Sequence, residues 1–222
     1  TKWNYQRYIK NYLRCVKAVD ESIGQLLEYL DESGLADNTI VIYSSDQGFY
    51  LGEHGLFDKR WMYEESLRSP LLVRWPSVAK AGTVNDTDIV SNLDFAQTFL
   101  DLAGAEIPSD MQGRSLVPIF KNETPQDWRE YHYYHYYEHG GHGVPIHFGV
   151  TNGRFKLIRY PDEENNTWEL FDLRNDPMEM ENIYGQANPE IQQNLLVQLN
   201  RLRSAYDLPE DELEGMKQSG QR

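Results

Sequence analysis

Asp46 and Gln47 stand side by side in Ser44-Ser45-Asp46-Gln47-Gly48, directly after an apolar, β-branched run, Thr39-Ile40-Val41-Ile42-Tyr43. A carboxylate and a carboxamide are hard oxygen donors of the kind a divalent cation such as Ca²⁺ accepts, and that cation takes about six to eight oxygens in all. Two residues therefore supply part of a metal site. Their place supports the reading, because ligands of open α/β sheets collect beyond the carboxyl ends of the strands. The plainer alternative is a loop start in which Asp46 caps backbone amides. Lys59 follows thirteen residues after Asp46, across Gly52-Glu53-His54-Gly55. The glycines let the loop fold back, and an ammonium brought near a cation would hold an anionic oxygen as a point charge. Taken singly, Lys59 and Arg60 read as solvated charges beside Asp58, and His54 as a loop imidazole.

A second concentration of chemistry spans Tyr131, His132, Tyr133, Tyr134, His135, Tyr136, Tyr137, Glu138, His139, His142 and His147, which holds five of the six histidines. The spacing fits no standard zinc signature, and a period-two strand would divide the imidazoles between its faces. Two readings stay open: rings packing within a small sheet, or flat apolar faces with polar tips suited to a sugar ring.

These groups need elements to hold them. Tyr5, Ile9, Tyr12, Val16, Val19, Ile23, Leu26, Leu27 and Leu30 step by three and four, predicting one long amphipathic helix stopped by Gly34. Cys15 lies on that helix and reads as core packing. The run at 39–43 predicts a strand buried on both faces, and Pro70–Pro76 a second strand closed by proline. Asn92 or Asp94 is a candidate cap for a helix ending at Gly104. Glu64 and Arg68, at i and i+4, are placed to pair and brace their loop. Pro108, Gly113, Pro118 and Pro125 then change the texture of the chain, dividing it into 1–125, an α/β part, and 126–222, a small α+β part. Segments 131–137, 147–152, 154–160 and 167–173 read as an antiparallel meander, with a helix through Ile191, Leu195, Leu199 and Leu202 covering one face.

The 222 residues carry 21 basic and 35 acidic side chains, a formal charge of −14, which argues against a nucleic-acid partner because phosphates call for a basic face. Residues 161–222 hold 14 acidic and 5 basic side chains, read as a solvated surface and tail. At 40% hydrophobic and 13% aromatic, the composition is that of a folded chain. No apolar run approaches the roughly 20 residues of a membrane span.

The segment from Thr39 to Pro76, TIVIYSSDQGFYLGEHGLFDKRWMYEESLRSPLLVRWP, resembles the second metal-binding segment of the type I, formylglycine-dependent sulfatases of the alkaline phosphatase superfamily. Val90 to Leu116 resembles the stretch that follows it. Arg154-Phe155-Lys156-Leu157-Ile158 with Glu169-Leu170-Phe171-Asp172 resembles the family's C-terminal subdomain. The likeness implies part of an alkaline-phosphatase-like α/β sandwich followed by a small antiparallel sheet with a packing helix. It also implies Asp46 and Gln47 as Ca²⁺ ligands, Lys59 as a contact to a sulfate oxygen, and His54 in the adjoining substrate loop. His139, His142 and His147 become substrate contacts, and the implied substrate is a sulfated carbohydrate. Gln47 stands where asparagine or histidine is commoner.

The family's nucleophile motif, Cys/Ser-x-Pro/Ala-x-Arg, and its N-terminal Asp-Asp pair do not occur in these residues. The expectation is thus the C-terminal portion of a sulfatase, inactive alone, with formylglycine in an N-terminal half and with that half or a second copy as partner. The resemblance further implies a periplasmic, secreted or lysosomal setting. Competing functions are a phosphodiesterase or phosphonate monoester hydrolase of the same superfamily and a non-catalytic carbohydrate-binding fragment.

Overall fold

A computed structural model describes residues 2–138, 141–161 and 167–208. The three-and-four spacing yields α1 (Lys2–Glu32), of which only Leu30 is buried. Its apolar stripe meets the rest through ring contacts, Tyr8 edge-on to Phe57 at 5.7 Å and Tyr12 stacked on Phe49 at 6.4 Å. Trp3, Leu13, Val16, Val19 and Leu26 stay exposed. Cys15 is exposed as well, which corrects its reading as core packing: helical period identifies a face but not what lies against it.

The predicted strands form a ribbon, β1 (Val41–Ser44) antiparallel to β4 (Leu71–Arg74), with Val41 opposite Arg74 and Ser44 opposite Leu71. β1 is half-buried, with Tyr43 exposed, and not covered on both faces as the apolar run predicts; β4 is its sole strand partner among the described residues. Between them lie the short pair β2 (Tyr50–Leu51) and β3 (Phe57–Asp58) and the one-turn α2 (Glu64–Leu67). Arg68 closes α2 by donating its backbone N–H to the Glu64 carbonyl at 2.9 Å, but the side-chain pair expected between Glu64 and Arg68 is absent among the described residues, and the Glu64 carboxylate meets Lys156 instead.

α3 (Asp94–Leu102) and the short α4 (Val117–Phe120) complete the first part. Asp94 does not act as the N-cap. It sits inside the first turn, fully buried, accepting from the backbone N–H of Ser91 at 2.8 Å and of Arg114 at 2.8 Å, and pairing with both terminal nitrogens of Arg129.

The meander forms as predicted: β5 (His132–Tyr136), β6 (His147–Thr151), β7 (Phe155–Tyr160) and β8 (Thr167–Asp172) lie in sheet order 5-6-7-8, all antiparallel. α5 (Pro189–Ala205) starts with proline at its first position, behind an Asn188 whose side chain accepts from Glu190 N–H at 2.9 Å. Period-two alternation gives the sheet two working faces. Phe148, Val150, Phe155, Leu157 and Leu170 pack on Leu195, Leu199 and Leu202 of α5. Ile158, Tyr160 and Phe171 face the other way and enclose Tyr50, Met62 and Tyr63, contributed from before α2. Met62 fits because β6 has glycine opposite: a Cβ on Gly149 would lie 2.7 Å from the Met62 sulfur and 2.3 Å from the Leu157 carbonyl oxygen. No described helix is long and apolar enough to cross a membrane.

Candidate functional site

β1 delivers the chain to Asp46, which is exposed, and Gln47, which is half-buried. Ser45 Oγ donates to the Gln47 carbonyl at 2.8 Å, and Asn92 Nδ2 approaches the Asp46 carbonyl at 3.4 Å, so the turn is held by its backbone. The next residue passes hard against α2. The N–H of Gly48 donates to the Ser66 carbonyl at 2.7 Å, and a Cβ on Gly48 would stand 1.9 Å from the Glu65 carbonyl oxygen. Only glycine fits that approach.

Ser66 also secures Lys59. Its hydroxyl donates to the Lys59 carbonyl, so one residue ties the end of the Asp46-Gln47 turn to the residue thirteen positions beyond Asp46. The half-buried Lys59 follows Asp58, which has a left-handed backbone (φ 90°) and pairs with Arg60. Among the described residues no carboxylate pairs with the Lys59 ammonium.

Asp46 and Gln47 are adjacent just beyond β1 and carry the carboxylate and amide oxygens that a hard cation could take. Among the described residues the Asp46 carboxylate accepts a long contact from Ser45 Oγ at 3.4 Å. No group of three or more His, Cys, Asp or Glu side chains gathers for a metal among the described residues, so the remaining oxygens of a Ca²⁺ shell must come from other groups.

His54 lies in the short 3-10 segment Glu53–Gly55 with φ 53°. Its ring stacks on Tyr63 at 4.4 Å, and Nε2 faces Glu65 Oε2 at 3.4 Å. It is thereby turned toward α2. Burial drives the Tyr63 phenol well above its usual range, with Glu169 adding to the effect, so it serves as a neutral hydrogen-bond donor.

The histidines of the aromatic stretch separate as the alternation requires. His147 is fully buried on the face of β6 that meets Trp61, Tyr134, Tyr136 and Tyr160, with ring centroids 5.4 to 5.7 Å away. Its Nδ1–H donates to the Pro145 carbonyl at 2.9 Å, and burial holds the imidazole neutral by lowering its pKa to about 4. His135 is on the opposite face, stacked on Tyr137 at 3.7 Å. His142 is exposed, with Nε2 3.9 Å from Glu138 Oε1. His139 lies outside the described residues.

A cavity of about 890 Å³ opens between β5, α5 and the segment around Arg114 and Arg129, with His132, His135, Tyr137 and Arg201 in its wall. Arg114 and Arg129 both lie over the Trp128 ring, at 4.8 and 5.1 Å. Leu93, which follows the Asn92 that approaches the Asp46 carbonyl, is also in its wall.

Sequence reasoning missed the charges that assemble this region. Lys156, fully buried, meets Glu64 Oε1 and Glu179 Oε1, each at 2.8 Å. A lysine within the apolar run Phe155–Ile158 was the available signal, since buried ammonium groups are paired.

Residues 52–205 match the family described as "N-sulphoglucosamine sulphohydrolase, C-terminal". The chain belongs to this sulfatase family. This sulfatase chain is 50% identical over 202 residues to an N-acetylglucosamine-6-O-sulfatase of Bacteroides thetaiotaomicron, covering 89% of the chain and 36% of that protein. It is 33% identical over 216 residues to arylsulfatase K of Bos taurus, covering 92% and 38%. Among solved structures, that of BT4656 in complex with its substrate D-glucosamine-2-N,6-O-disulfate superposes with a TM-score of 0.88 at 49% identity, covering 95% of this chain and 43% of that one. The sulfatase chain thus spans little more than a third of these curated relatives and has the alkaline-phosphatase-like fold of the family, with its small antiparallel sheet and packing helix.

Proposed function

We propose that the whole protein hydrolyses a sulfate ester on a glucosamine-type sugar, and that this chain contributes the cation-binding turn and the sulfate-holding lysine. The 50% identity to N-acetylglucosamine-6-O-sulfatase carries the reading. Asp46 and Gln47 are the residues that would hold Ca²⁺, through carboxylate and amide oxygens. Bound there, the cation supplies fixed positive charge to sulfate oxygens as charge builds during attack at sulfur. Lys59 adds an ammonium to the same oxygens. Ser66 keeps its backbone in register with the turn, so neither group has to reorganise.

His54, His139, His142 and His147 complete the proposed substrate-binding set. His147, neutral and enclosed, would act by stacking and shape, whereas His142 is open to a polar ligand. The nucleophile, a formylglycine, is assigned to the part of the relatives' length that this chain does not span, so the chain alone is expected to be inactive. The open apolar face of α1 is assigned to the same remainder, with a second copy as the alternative occupant. The parts 1–125 and 126–222 and a periplasmic, secreted or lysosomal setting belong to this reading.

The test is turnover by the full-length protein of D-glucosamine-2-N,6-O-disulfate beside an aryl phosphodiester and a phosphonate monoester. Release of sulfate well above either phosphorus product supports the assignment. Faster turnover of a phosphorus ester overturns it.

A further inference from the structure

Lys156 points from β7 into the sheet face that meets the chain before and within α2, and none of its side chain reaches solvent. An ammonium in that position must be answered by carboxylates. Glu64 answers from the first residue of α2, and Glu179 from the loop after β8, where its backbone is left-handed at φ 50°. Glu179 is bound twice over, because its other oxygen accepts the backbone N–H of Glu64 at 2.7 Å. One buried lysine therefore joins three regions far apart in sequence.

Glu64 belongs to the segment that begins at Lys59, and every stage of that segment is anchored. The Tyr50 hydroxyl donates to the Trp61 carbonyl at 3.0 Å and accepts from Tyr63 N–H at 3.2 Å. Met62 is fully buried against the sheet. Ser66 closes the segment on the Lys59 carbonyl and on Gly48. The Lys156 grip on Glu64 is thus five residues from Lys59 in sequence and is linked to it through one short, internally bonded loop.

We propose that Lys156, held between Glu64 and Glu179, is a positioning residue that fixes segment 59–66 and thereby the place of the Lys59 ammonium relative to the Asp46-Gln47 turn. Being enclosed, Lys156 acts without touching substrate. The proposal rests on the assignment of Lys59 to the sulfate.

A double-mutant cycle in the full-length protein tests it, reading kcat/KM on the sulfate ester together with thermal unfolding. Lys59→Ala is expected to lower kcat/KM about a hundredfold, and Lys156→Met about tenfold or more in protein that remains folded. In the double variant the Lys156→Met loss should disappear, because a displaced lysine that is already absent has nothing further to lose. Multiplying losses in the double variant overturn the positioning role and leave the Lys59 assignment standing. An unchanged kcat/KM for Lys59→Ala overturns the assignment and the positioning role together. Should Lys156→Met fail to fold, Glu179→Gln, which keeps the shape and removes the charge, enters the same cycle with the same two outcomes.

Discussion

The backbone N–H of Gly48 donates to the carbonyl of Ser66 at 2.7 Å, and the hydroxyl of that serine reaches the carbonyl of Lys59. One link is backbone to backbone and the other runs through the short serine side chain, so both order fewer rotamers than contacts between long side chains would. The Asp46-Gln47 turn and the Lys59 backbone are therefore related through Ser66, which touches both.

Gly48→Ala should disrupt this arrangement at its tightest point. The added carbon would meet the Glu65 carbonyl oxygen at 1.9 Å, forcing the two backbones apart. Overpacking of this kind costs about 1–3 kcal/mol or more. Calcium titration and thermal unfolding of the full-length protein should show weaker binding together with a lower Tm. A variant with wild-type calcium affinity would separate the turn from the metal.

Asp46→Ala removes one oxygen donor while leaving the backbone bonds of the turn in place. Calcium affinity, read by calorimetry, is expected to fall about tenfold or more for the loss of an anionic ligand. Equal affinities would take Asp46 out of the ligand set.

Arg129→Met isolates a buried carboxylate. Asp94 is fully enclosed and loses the guanidinium that meets both of its oxygens, leaving only the N–H groups of Ser91 and Arg114. Breaking one side of a buried pair costs about 3–5 kcal/mol. Denaturant unfolding should show that loss. Arg114→Met, which removes a pair with the exposed Asp127, should leave stability far closer to that of the wild type.

His147 gives the fold an acid sensitivity of defined sign. Its folded-state pKa is about 4 against 6.5 for the free side chain, so the unfolded chain binds the extra proton between those values. The stabilisation is complete above pH 6.5 and is lost as pH falls toward 4, by about 3 kcal/mol in all. Unfolding free energies measured across that range should decline in the wild type and decline less in His147→Phe. Parallel profiles would exclude His147 as the source.

Local pattern made the elements legible. The stepping of Ile23, Leu26 and Leu30 marked α1, alternation through Phe155–Tyr160 marked β7, and the Leu195-Leu199-Leu202 stripe marked the helix covering that sheet. The motif around Asp46 and Lys59 was legible for the same reason, being contiguous. What stayed hidden depends on distant partners. The Glu64 carboxylate pairs with Lys156 and not with Arg68, and the Asp94 carboxylate, in the first turn of α3, pairs with Arg129 from beyond α4. Charges choose partners in space, and spacing along a chain reports only those within a turn or two.

The insertion of Met62 and Tyr63 beneath Ile158, Tyr160 and Phe171 has an evolutionary corollary. Recombination that exchanged the C-terminal sheet between two sulfatases would carry a socket shaped for another parent's plug. Viable chimeras should therefore inherit residues 50–67 together with the sheet, and crossovers near residue 125 should be selected against even where the flanking sequences align without gaps.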